Sequence, residues 1–137
     1  MEVTGIPFNK KIGIRDSDDG NVLSLQQSSE LHNHLGTVHA SAQFALAEAA
    51  SGAYLLRKFP ELSTQVVSVV RKAAVTFKKP ATSDLTATAN IDAEEEEKFV
   101  QLLHQKGRAI IAVTVTISDQ QGKTTAIAIY DWFIQKI

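Results

Sequence analysis

The chain is 137 residues long, 44% hydrophobic and 21% charged, a length suited to one domain over residues 1–137 with its own core. It has no cysteine, which excludes disulfide frameworks, zinc–cysteine sites, iron–sulfur clusters and thiol nucleophiles. With 14 Lys and Arg against 15 Asp and Glu it lacks the basic excess of a general nucleic-acid binder, and no apolar run reaches the ~20 residues of a membrane span.

The start, Met1-Glu2-Val3-Thr4-Gly5, has neither the charged nor the apolar part of a secretory signal, so the cytoplasm is the default location. Lys10–Arg15 and Asn21–Gln27 read as short strands flanking the turn Asp16-Ser17-Asp18-Asp19-Gly20. Residues 39–59 then predict a helix of about five turns, proline-free until Pro60 and closed by Arg57 and Lys58, which suit the negative end of its dipole. Its Ala- and Ser-rich surface is smooth enough to be approached closely from several sides.

Four strands follow. Gln65–Phe77 is apolar on both faces at its start, which predicts partial cover on both sides. Asp84–Asp92 and Ala109–Ile117 alternate cleanly, and Asp119-Gln120-Gln121-Gly122 turns the latter into Thr124–Ile134 as a hairpin. Between them, Asp92 as N-cap, four glutamates, Phe99, Leu102 and Leu103, and a closing Gly107 predict a short helix near 93–106. The glutamate run reads as its solvated first turn. Long strands and one long helix bury each other only if the sheet curls round the helix, giving an α+β fold. The uncovered sheet face and edges favour a homo-oligomer.

Ahead of the helix lies Leu31-His32-Asn33-His34-Leu35-Gly36-Thr37-Val38-His39. Its histidine spacing does not fit a helical metal pair, so no metal is expected. Asn33 reads as a turn residue, a cap or a donor to a substrate carbonyl, with Gly36 supporting a loop. Glu48 is conspicuous because Leu46, Ala47, Ala49 and Ala50 around it carry no charge. On a wrapped helix its carboxylate sits at an interface, in a cleft, or buried at considerable cost.

The run from Asn33 through His39, Ala40 and Ser41 to Glu48 resembles hotdog-fold acyl-CoA thioesterases of the phenylacetate-pathway and 4-hydroxybenzoyl-CoA type. In that family an Asn precedes a His-Gly-Gly at the start of the central helix, and an Asp or Glu follows nine residues after the His. Asn33, His39 and Glu48 fall on those positions, while Ala40 and Ser41 replace the two glycines. The resemblance covers about residues 30–134. It implies a curved antiparallel sheet wrapped round one long helix, and a homodimer or a dimer of dimers. A hydroxyl that some members carry in the next strand would, counting back from Pro80, fall on Val70, with Ser68 the nearest alternative on the same face.

A helix N-terminus offers unpaired N–H groups and a favourable dipole to a developing oxyanion, which makes Ala40 N–H the expected carbonyl polariser. Asn33 would add a donor, and Glu48 would act as general base or nucleophile. Ala40 and Glu48 are about 12 Å apart along the helix and about 80° round it, which favours a site shared by two chains. Gly36, Ser41 and Ser68 are expected to line the substrate site. Lys78, Lys79, Lys106 and Arg108 are candidates for coenzyme A phosphates. The resulting expectation is hydrolysis of acyl-CoA or acyl-carrier-protein thioesters with no cofactor. A hotdog dehydratase or isomerase and a non-catalytic acyl-CoA-binding protein are the alternatives.

Overall fold

The computed structural model describes residues 2–17 and 20–137; Asp18 and Asp19 of the expected turn lie outside the described residues. The chain begins with a 3-10 turn, Val3–Gly5, and a short helix α1, Pro7–Ile12. Helix α1 replaces the first half of the strand expected over Lys10–Arg15. Pro7 occupies its first turn and Gly13 ends it in the left-handed region at φ 88°, the proline-first, glycine-last order that bounds a helix. Strands β1, Ile14–Asp16, and β2, Leu23–Leu25, then pair antiparallel, Ile14 opposite Leu25.

Helix α2 runs Ala40–Lys58. Strand β3 spans Val66–Phe77, β4 Leu85–Asn90, β5 Arg108–Ser118 and β6 Thr124–Lys136, and helix α3, Ala93–Lys106, joins β4 to β5. All the pairings are antiparallel, in the order β1-β2-β4-β5-β6-β3. The sheet curls round α2, whose Ala42, Ala45, Ala47, Ala49 and Ala50 are buried in one core with Ala87, Val113, Val115 and Ala128 of the strands it packs on. Small residues on both surfaces let helix and sheet approach closely. This is the hotdog fold, α+β, as the resemblance implied.

Helix α3 has the caps read from its sequence. The Asp92 carboxylate accepts from Glu94 N–H at 2.9 Å, and Gly107 takes φ 73° and donates to Leu103 O. Phe99 is buried beside Phe59, with ring centroids 5.6 Å apart.

Strand β3 departs from expectation twice. It is an outer edge of the sheet, and Val67 and Val69 are exposed rather than covered. Its register also shifts between Val70 and Lys72, a β-bulge at Arg71. One extra residue inverts the alternation beyond it. Ala73, Val75 and Phe77 therefore share the inner face with Val66, Ser68 and Val70, whereas uniform alternation would place them opposite.

Candidate active site

The approach to α2 is a tight turn built by Asn33. Its Oδ1 accepts from Leu35 N–H at 2.9 Å and Thr37 N–H at 3.1 Å, and its Nδ2 donates to Thr37 Oγ1 at 2.9 Å. Gly36 closes the turn at φ 76°, a conformation that strains any residue with a Cβ. The geometry thus follows the turn reading of Asn33, with its amide engaged inside the loop. Val38 N–H donates to Ala81 O and His39 N–H to Leu31 O, both at 2.8 Å, fixing the entry to the helix.

His39 is the N-cap of α2. Its Nδ1 accepts from Ser41 N–H at 2.9 Å, which leaves the ring proton of the neutral imidazole on Nε2. Ser41 N–H is thereby occupied, whereas Ala40 N–H has no acceptor among the described residues. Ala40 and Ser41 are both exposed. The first-turn donor singled out in the sequence is therefore free and accessible.

Two turns on, Glu48 is half-buried, and its carboxyl has no hydrogen bond or ion pair among the described residues. Burial alone raises its pKa above the usual 4.5. Tyr130, beside it and fully buried, has its phenol pushed far up by burial and by the charge of Glu48. Among the described residues, Glu48 is the one common to the two depressions that flank it. On one side an open groove of about 450 Å³ runs back along α2 past Phe44 to Ser41 and Ala40, flanked by Phe8 and Phe77. On the other a narrower pocket of about 230 Å³ extends between α2 and the sheet, bordered by Ser68, Gly52 and Trp132.

Ala40 and Glu48 of one chain thus both line a single groove. The two turns between them still amount to about 12 Å of helix. Ser68 joins Glu48 at the inner pocket, and Val70 lies farther along the same face. The basic residues are not gathered. Lys79 is paired with Asp119 at 3.0 Å, which ties the exit of β3 to the β5–β6 hairpin. Lys78 is exposed beside it. Lys106 and Arg108 lie at the other end of the sheet: Arg108 sits opposite Gln135, nine positions along β6 from Ala126, the partner of Phe77, or ~30 Å.

Trp132, Ser51 and Gly52 were not singled out in the sequence. Trp132 Nε1 donates to Ser51 Oγ at 2.8 Å, and Ser51 donates to Glu48 O at 2.6 Å. The period of two in β6 places Tyr130, Trp132 and Ile134 on one face, but only the folded register brings them to Glu48.

A family model described as a domain of unknown function, DUF4442, matches residues 13–134. The chain belongs to the DUF4442 family. No curated protein matches it in sequence. Among solved structures it is similar to PA5026 of Pseudomonas aeruginosa, a protein of unknown function described as a probable thioesterase. That match has 26% identity and a TM-score of 0.82, over 98% of this chain and 91% of that one. It is also similar to BH2602 of Bacillus halodurans, solved with CoA, at 23% identity and TM-score 0.64, over 82% and 69% of the two chains. A thioesterase variant, PA1618 of Pseudomonas aeruginosa, aligns at 22% identity and TM-score 0.72 over 95% and 86%. This DUF4442 chain thus shares its fold with proteins described as thioesterases. No helix among the described residues is long and apolar enough to cross a membrane.

Proposed function

We propose that this protein hydrolyses acyl thioesters of coenzyme A or of an acyl carrier protein. The observation that carries the reading is Glu48: a half-buried carboxyl with no hydrogen-bond or ion-pair partner among the described residues, set between an apolar pocket and a groove that leads to a helix N-terminal N–H without an acceptor among them. The thioesterase descriptions of PA5026 and PA1618 and the CoA bound to BH2602 support the same class of chemistry.

In this reading the ionised Glu48 takes a proton from water as the water oxygen bonds to the thioester carbon, and the carbonyl oxygen becomes an oxyanion. Ala40 N–H, at the positive end of the α2 dipole, stabilises that oxyanion. Collapse breaks the C–S bond, and the thiolate leaves and takes up the proton. Direct attack by the Glu48 carboxylate, with later hydrolysis of the anhydride, uses the same two groups. Asn33, Gly36 and His39 act by positioning, since they shape the turn and cap that present Ala40 N–H.

The separation of about 12 Å between Ala40 and Glu48 supports a two-fold dimer in which the helix start of one chain serves Glu48 of the other. The unpaired edge of β3 supports pairing along that strand, and exposed Ile110 and Ile129 on the outer sheet face support a further association of dimers. Lys78 and Arg108, exposed at opposite ends of the sheet, remain candidates for the coenzyme A phosphates, and Lys79 would first have to leave Asp119.

Hydrolysis of a panel of acyl-CoA thioesters, followed by free-thiol release, tests the reading. Glu48→Gln is expected to lose roughly two to four orders of magnitude in kcat/KM. Unchanged turnover in that variant would overturn it.

A further inference from the structure

The pocket beyond Glu48 is bounded on its outer side by the start of the chain. Val3 and Ile6 lie over it, held by Asn9, whose Nδ2 donates to Val3 O at 3.0 Å. Its far wall is apolar, with Leu55, Leu62 and Ile134 all nearly inaccessible to solvent. The indole N–H of Trp132 is satisfied by Ser51, so the wall it forms presents carbon. Glu48 at the mouth is the pocket's ionisable group.

Gly52 sits where the wall is tightest. A Cβ placed there would come 3.3 Å from Trp132 Cζ2, closer than most such contacts, so the indole occupies the space a side chain at 52 would need. Trp132 and Gly52 together set the width of the pocket beside α2. An apolar protein cavity of ~150 Å³ accepts benzene, a six-carbon ring. The volume here is about 230 Å³. On that scale it takes an apolar group of roughly six to nine carbons.

We infer that this pocket is a socket for a medium-length apolar acyl chain, with Gly52 and Trp132 setting its width and the N-terminal segment around Val3 and Ile6 closing it. The inference rests on the thioester reading for the word acyl, while the socket itself rests on the pocket's shape and lining.

Trp132 is the chain's single tryptophan, so its emission reads occupancy without turnover. The test titrates the intact protein with straight-chain primary alcohols from butanol to dodecanol. Each added methylene is expected to tighten binding about fourfold. The gain stops at roughly eight carbons, where the pocket is full. Gly52→Ala, which presses the indole into the pocket, moves that limit to shorter alcohols. Ile6→Ala, at a half-exposed position that tolerates truncation, moves it to longer ones. No response of Trp132 emission, or affinity rising through dodecanol in all three proteins, would overturn the socket. Emission that responds with the predicted limit while no acyl-CoA is hydrolysed would sustain the socket and overturn the hydrolase reading. Hydrolysis with no dependence on chain length would do the reverse.

Discussion

The hydroxyl of Tyr130 donates to the main-chain carbonyl of Phe44 at 2.8 Å. That carbonyl is also the one the α-helical ladder assigns to the N–H of Glu48, four residues on. One hydrogen bond from the middle of β6 therefore pins α2 to the sheet at the turn that carries the carboxyl. The rings of the same two residues pack edge to face, 5.4 Å apart.

Tyr130→Phe keeps the packing and removes the bond. We expect a loss of about 1 kcal/mol, read as a lower urea midpoint with unchanged slope. Full retention of stability would mean that the helix is held elsewhere.

Glu48 is predicted to lower stability at neutral pH. Burial raises its pKa above 4.5, so the folded chain binds that proton more tightly than the unfolded one. The carboxyl costs nothing below the ordinary glutamate range, and the cost grows as pH rises through the raised value. Glu48→Gln should therefore melt higher than the parent near pH 7 and at about the same temperature near pH 4. The acid limb of kcat/KM should lie above the ordinary glutamate value in the parent, since the base must be ionised to act. Thermal melts of both proteins across that range, with rates of the parent, check the sign.

The bulge at Arg71 makes a sharper structural prediction. Deleting Arg71 leaves Val70 and Lys72 opposite Trp132 and Asp131 in a regular ladder, which keeps Ala73, Val75 and Phe77 on the inner face, so the deletion should cost no more than about 1 kcal/mol beyond the Arg71 side chain itself. Arg71→Ala keeps the extra residue and removes only the guanidinium lying 5.3 Å from the Phe133 ring, a contact worth about 0.5–1 kcal/mol. Denaturant midpoints of the two variants separate backbone count from side-chain identity.

The same bulge shows where sequence patterning ran out. Ala109–Ile117 and Leu85–Ala89 alternate without interruption, and their faces were legible. So were both ends of α3, because Asp92 and Gly107 act through local backbone geometry. An extra residue in β3 leaves no mark on composition, so uniform alternation would put Phe77 on the face opposite Val66. Helix α1 is only six residues long and shows no apolar period, so Pro7 and Gly13 were its only signs. Glu48 stood out because the residues around it on α2 carry no charge. The contact of Trp132 with Ser51 joins residues 81 apart and depends on the register of β6 against the helix, which no local pattern specifies.

The most direct test of the shared site uses Ala40→Pro. Ala40 is the first residue of α2, and His39 before it already has φ −59° and ψ 141°, the extended conformation that proline demands of its predecessor. The substitution removes the N–H with little disturbance to the fold and should lower kcat about 100- to 1,000-fold. Ala40→Pro and Glu48→Gln, each nearly inactive alone, are then co-refolded at equal amounts. Half of the dimers combine one chain of each and hold one intact site made from Glu48 of the first and Ala40 N–H of the second. A site shared between two chains gives recovery of about a quarter of the parent turnover. A mixture no more active than its two components would contradict it.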